Sequence, residues 1–131
     1  MIATAATSTR DRLLRLALRA DAVLTGLAGV AALPLAGTLA DWSGTTTTIE
    51  YSLAAFFIVY GLAVFGLSTL PSLRRAGVAV IVANLAYTVA AVVVVVTDVW
   101  SMTTVGVVLT LATGVYTAVF AELQYVGWRR L

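Results

Sequence analysis

This sequence contains no cysteine, no histidine and no lysine. Without cysteine there is no disulfide, no thiolate metal site, no Fe–S cluster and no cysteine nucleophile. Without histidine, the commonest zinc and haem ligand and the commonest general base are missing too. Nor is there a glycine-rich phosphate loop, a Gly-x-Ser-x-Gly elbow or a Ca²⁺ loop pattern. The expectation is a protein that is not an enzyme and carries no cofactor and no metal. All eight positive charges are arginine, a usage that suits a GC-rich bacterial coding sequence.

Charge of either sign is scarce. Charged types make up 11% of the chain and apolar types 61%, against about 25% and roughly 45–50% in soluble globular proteins. A soluble fold of 131 residues leaves too much of its area exposed to hide that apolar excess, whereas lipid accepts it. Four apolar runs with almost no charge are long enough to cross a bilayer, at residues 20–40, 51–70, 76–97 and 103–125. The valine run from Val92 to Val96 would suggest a strand in water. In lipid a lone strand leaves its backbone groups unpaired, so helix is the expectation. The fold class expected is an all-α membrane protein, a four-helix bundle forming a single transmembrane domain.

The arginines orient it. Arg10, Arg12, Arg15 and Arg19 precede span one, Arg74 and Arg75 join spans two and three, and Arg129 and Arg130 follow span four. The two opposite connections carry Asp41, Glu50 and Asp98. The positive-inside rule puts both termini in the cytoplasm of a multi-pass protein of the bacterial inner membrane. Trp42, Tyr51 and Trp100 at one set of span ends and Tyr125 and Trp128 at the other suit an aromatic belt. A cleaved signal peptide is the competing reading of the first 40 residues, but Asp21 and Pro34 interrupt its apolar stretch. Ahead of span one, Ser8 is placed to cap a helix, with Asp11 and Arg15 as an i,i+4 pair. Leu13, Leu14, Leu16 and Leu18 allow that lead-in to lie in the interface. A solvated, basic, topology-setting segment is the expected form.

The two halves of the chain are alike. Val59-Tyr60-Gly61-Leu62-Ala63-Val64-Phe65 reads almost as Val115-Tyr116-Thr117-Ala118-Val119-Phe120. The same offset of about 56 residues, within two, pairs Arg19 with Arg75, Asp41 with Asp98 and Trp42-Ser43 with Trp100-Ser101. This points to a tandem duplication of a two-helix hairpin, a parallel repeat about an axis along the membrane normal. Small residues are placed to let the helices approach: Ala22, Gly26, Gly29, Ala36 and Ala40 in span one, and Gly106, Thr110, Gly114 and Ala118 in span four.

Polar side chains inside spans are expensive and so are the candidate site: Asp21, Asn84, Glu122 and Gln124. By helical rise Asp21 lies about 3 Å beyond Arg19, Glu122 roughly 10 Å above Arg129 and Asn84 about 13 Å above Arg75. One reading makes them an inward-facing site. Asp21 and Glu122 would bind a cation or a proton, Asn84 and Gln124 would add hydrogen bonds, and Tyr60, Tyr87 and Tyr116 would form aromatic walls. The structural reading pairs Asp21 with Arg15, Arg19 or the Arg74–Arg75 turn, lets Glu122 snorkel or pair with an arginine, and uses Asn84 to bridge helices. It is the expected one, because both carboxylates sit near a ring of arginines.

The run from Arg15 through Arg19 and Asp21 to Gly26, with Asn84-Leu-Ala-Tyr87 and Leu123-Gln124-Tyr125, resembles small four-span membrane proteins of actinobacterial type. That resemblance implies no activity and supplies no functional residues. The function expected is a non-catalytic accessory or assembly subunit of a larger membrane complex, whose partners are the lipid bilayer and other membrane subunits or copies of itself. The alternative is a small proton-coupled exporter of organic cations. Nucleic acid is not an expected partner, since arginines on one membrane face act as topology signals first.

Overall fold

The computed structural model describes the backbone of residues 2–131 and the side chains from Thr9 onward. Four helices follow one another: α1 (Ile2–Ser43), α2 (Thr47–Leu67), α3 (Arg74–Thr97) and α4 (Thr104–Arg129). Each is long and apolar enough to cross a membrane, and together they form a four-helix bundle. Most of their large apolar side chains point outward, the reverse of a soluble protein and the pattern that lipid favours.

The connections are short, and threonine hydroxyls begin two of the helices. Thr46 accepts from the Ile49 amide and Thr103 from the Gly106 amide, each at 3.2 Å, satisfying donors that the first helical turn leaves free. Gly44, at φ +71°, turns the chain out of α1, a conformation glycine adopts without steric penalty. α2 stops at Leu67, earlier than the apolar run, because Pro71 disfavours helix in the residues before it.

α1 starts well before the expected span. The helix runs through Ser8, so Ser8 does not begin it, and its side chain lies outside the described residues. The lead-in is not a solvated segment either. Leu14 and Leu18 are fully buried in a cluster with Ala22, Val64, Leu73 and Val80, and Trp128 packs against it. The expected Asp11–Arg15 pair is present at 2.9 Å. Arg15 also donates to the carbonyls of Ser68 and Leu70, tying α1 to the α2–α3 turn.

Glycines set the helix contacts. A Cβ on Gly61 would stand 2.7 Å from the Ala22 carbonyl, and one on Gly29 would stand 2.7 Å from the Ala54 carbonyl, so α1 and α2 touch backbone to backbone. Gly114 faces Ala91 across α3 and α4. α1 meets α4 at both ends, where Gly127 abuts Leu14 and Gly106 abuts the Ser43 carbonyl. The small-residue stripes of spans one and four are thus largely consumed inside the bundle.

α2 and α3 are joined differently. They lack the extensive backbone packing of the other adjacent pairs and meet through rings. Phe56 and Phe57 lie 6.5 Å and 6.0 Å from Tyr87, centroid to centroid. Thr25 touches Tyr116, and Ser43 touches Gly106. Between those two contacts α1 runs roughly 27 Å while α4 covers roughly 15 Å. The two helices cannot lie side by side over this stretch. A cavity of about 530 Å³ fills the space that results, bounded by all four helices.

Candidate functional site

Asp21 is fully buried, and five neutral groups point donors at its carboxylate. Oδ2 accepts from the Tyr60 hydroxyl at 2.8 Å and from the amides of Asn84 and Gln124, each at 2.9 Å. Oδ1 accepts from Thr25 at 3.0 Å and Tyr116 at 3.2 Å. The Asn84 and Gln124 N–H groups can only donate, whereas the three hydroxyls can donate or accept, so the two amides hold Oδ2 as an acceptor. All four helices contribute: Asp21 and Thr25 from α1, Tyr60 from α2, Asn84 from α3, Tyr116 and Gln124 from α4.

The amides orient one another. Asn84 gives its second proton to the Gln124 carbonyl oxygen at 2.9 Å, which fixes which way both amides face. The Tyr60 hydroxyl also lies 3.1 Å from Asn84 Oδ1, but the nearer Asp21 oxygen is the better acceptor for its single proton. Thr88 extends the polar layer, bonding the carbonyls of Asn84 and Gly114 and meeting the Thr117 hydroxyl at 2.7 Å.

No cation enters this network. Among the described residues the one ion pair joins Arg15 to Asp11. Arg19 turns away, donating to Ser68 Oγ and lying 5.9 Å over the Phe65 ring. Arg74 covers Trp128, whose indole donates to the Arg74 carbonyl. Asp21 sits about 9 Å up α1 from Arg15, the residue that holds the α2–α3 turn. It is therefore deeper in the bundle than its sequence distance from Arg19 suggested. The expected Asp21–arginine pair is not formed.

Three of the four candidate residues come together: Asp21, Asn84 and Gln124. Glu122 does not join them. It is exposed on α4, two residues before Gln124 and thus about 200° around the helix from it. Tyr60 and Tyr116, expected as aromatic walls, act through their hydroxyls as well. Thr25 was not among the candidates, though its i+4 spacing from Asp21 places it within reach on the same face.

The network is the floor of the cavity. Thr25, Tyr60, Asn84 and Tyr116 all line it, with Asp21 just beneath. Phe56, Phe57 and Tyr87 form the wall at the α2–α3 seam, while Ala28 and Ala32 leave room on the α1 side. Thr45, Glu50, Trp100 and Met102 lie at the far end. The hydroxyls of Thr25, Tyr60 and Tyr116 stand between the Asp21 carboxyl group and the cavity.

No known protein family, curated protein or solved structure matches this chain. What stands is a four-helix, membrane-type protein whose distinguishing feature is a buried carboxylate beneath an aromatic-walled cavity.

Proposed function

We propose that this protein binds a hydrophobic organic cation in the interhelical cavity and moves it across the bilayer as a small proton-coupled exporter. The observation that carries this reading is Asp21, a fully buried carboxylate with five neutral donors and no cationic partner. A cation resting on the floor lies one hydroxyl layer from that charge. At about 6 Å and an effective dielectric of about 20, the attraction is on the order of 3 kcal/mol. The rings of Phe56, Phe57, Tyr60, Tyr87 and Tyr116 add cation–π contact and apolar surface. One carboxylate holds either a proton or the cation, the exchange that coupling requires. Titration of purified protein with tetraphenylphosphonium tests the binding step, and pH-driven movement in proteoliposomes tests the transport step. Absence of saturable binding to wild type sinks the reading.

In this reading the arginine-rich end faces the cytoplasm of a bacterial plasma membrane. The two hairpins descend from one duplicated unit, which would explain why Tyr60 and Tyr116, about 56 residues apart, serve the same carboxylate. The chain has no native cysteine, so single labels are clean. A Ser101→Cys variant is expected to react with impermeant maleimide in intact cells, and an Arg130→Cys variant only after lysis. The opposite pattern reverses the orientation.

An accessory-subunit role is the second reading, and the short connections at residues 44–46, 68–73 and 98–103 support it by leaving little between the helices for independent activity. It loses one support, since the small-residue stripes suited to a partner helix are largely spent within the bundle. Mild-detergent purification from the native host, followed by mass spectrometry, decides it. A stoichiometric partner of known activity favours the subunit, and a lone protein or homo-oligomer favours the exporter.

A further inference from the structure

The cavity has a second acidic pole. Glu50 is the one charged side chain among the described residues that line it. It is half-buried, and its Oε1 accepts from the Thr45 hydroxyl at 2.6 Å, leaving Oε2 without a donor among the described residues. Along α2 it precedes Tyr60 by ten residues, which is about 15 Å of helix. Tyr60 marks the floor above Asp21, so the two carboxylates stand at opposite ends of one elongated space. No arginine lines the cavity to neutralise either.

Between the poles the surface is largely apolar. Leu53, Ala90, Val94 and Leu109 line it with the aromatic seam, and the hydroxyls of Tyr87, Thr113 and Thr110 there already bond Thr113, the Thr110 carbonyl and Met102 Sδ, so a spacer meets van der Waals contact. Trp100 stands at the Glu50 end, where its ring can face a second ammonium group as the tyrosines face the first.

We propose that the preferred ligand of this site is an elongated bis-cation, with one charged group on the floor above Asp21 and the other beside Glu50. The apolar spacer between them is about 15 Å long. This rests on the cation-binding reading above and adds to it the shape and charge of the ligand. A monocation with the same chain satisfies one pole and leaves Glu50 unpaired, and a short bis-cation cannot reach both.

The test compares decamethonium with decyltrimethylammonium, which shares its ten-carbon chain but has one charge, and with the shorter hexamethonium. Each displaces tetraphenylphosphonium from purified protein in nanodiscs, for wild type and for Glu50→Gln. The amide keeps an oxygen for Thr45, so this variant retains the local hydrogen bond while losing the charge. Decamethonium is expected to outcompete both other probes on wild type. Its advantage over decyltrimethylammonium is expected to shrink about fivefold in Glu50→Gln, the upper end for a partly exposed charge pair. Partitioning into lipid cancels in that comparison of two proteins. If wild type binds both ten-carbon probes equally, or Glu50→Gln keeps the full preference, the second pole is wrong while the Asp21 site survives. If tetraphenylphosphonium itself does not bind wild type, the cation site falls and the bis-cation with it.

Discussion

Tyr60 and Tyr116 grip opposite oxygens of one carboxylate, Tyr60 on Oδ2 and Tyr116 on Oδ1 of Asp21. They come from α2 and α4, so the carboxyl group is held from both hairpins at once. In lipid, hydrogen bonds between neutral side chains average about 0.6 kcal/mol, with about 1.7 the largest measured. Bonds to a charged acceptor are stronger, about 1.5–3 kcal/mol in proteins generally. With no counter-cation to share the charge, the tyrosines are expected near the overlap of these ranges.

Tyr60→Phe and Tyr116→Phe should therefore each destabilise the protein by about 1–2 kcal/mol in reversible SDS unfolding. Because both serve one carboxylate, the double variant should depart from additivity by at least about 0.5 kcal/mol. Strict additivity, or no effect from either change, would mean that the two hydroxyls do not share the carboxyl group as partners.

Asp21→Asn separates charge from packing. The amide can keep its oxygen towards Tyr60, Asn84 and Gln124 and turn its NH₂ to Thr25 and Tyr116, whose hydroxyls can rotate to accept. The variant is thus expected to fold and to elute as wild type does. Its affinity for tetraphenylphosphonium should fall at least about tenfold, since about 1.4 kcal/mol of electrostatic attraction corresponds to that factor. Undiminished binding by a well-folded Asp21→Asn protein would remove Asp21 from the site.

The glycines provide a paired stability test. Gly61→Ala puts a methyl 2.7 Å from the Ala22 carbonyl and 2.9 Å from Gly26 Cα, contacts that backbone cannot yield cheaply. A loss of about 1–3 kcal/mol is expected. Gly66→Ala, five residues further along α2, meets nothing within 4 Å and should be neutral or stabilise by up to about 1 kcal/mol, because alanine is the better helix former. Equal effects at the two sites would contradict the α1–α2 packing.

Arg15→Gln should loosen the α2–α3 turn and weaken the bundle as well. The change removes the guanidinium that reaches the Ser68 and Leu70 carbonyls. It also strips the buried Asp11 carboxylate of its ion-pair partner, a loss on the order of 3 kcal/mol when one partner of a buried pair is removed. Hydrogen exchange at residues 68–73 is expected to quicken beyond the change in global stability. Unchanged exchange there would show that the turn holds without its anchor.

How much of this was legible beforehand differs by residue. Gln124 and Glu122 were equal candidates, because hydropathy places both near the end of a span and says nothing about which face of α4 turns inward. Packing against Leu14 through Gly127 sets that rotation, burying Gln124 and leaving Glu122 exposed. The tyrosines were legible as aromatic bulk but not as donors, since a hydroxyl's role depends on what stands opposite it. Glu50 read as a loop charge, and only the cavity reaching the end of α2 makes it part of a site.

Composition and run length determined by themselves that this chain is four apolar helices, because lipid requires every backbone group to be paired within its own segment and no soluble core could absorb so much apolar surface. They could not determine what Asp21 meets. A carboxylate near a ring of arginines has two outcomes, pairing at the interface or burial among neutral donors. Tertiary structure decided between them. Arg15 is held by the α2–α3 turn, Arg19 by Ser68 and Phe65, and Arg74 by Trp128, while all four helices converge on Asp21 with uncharged donors.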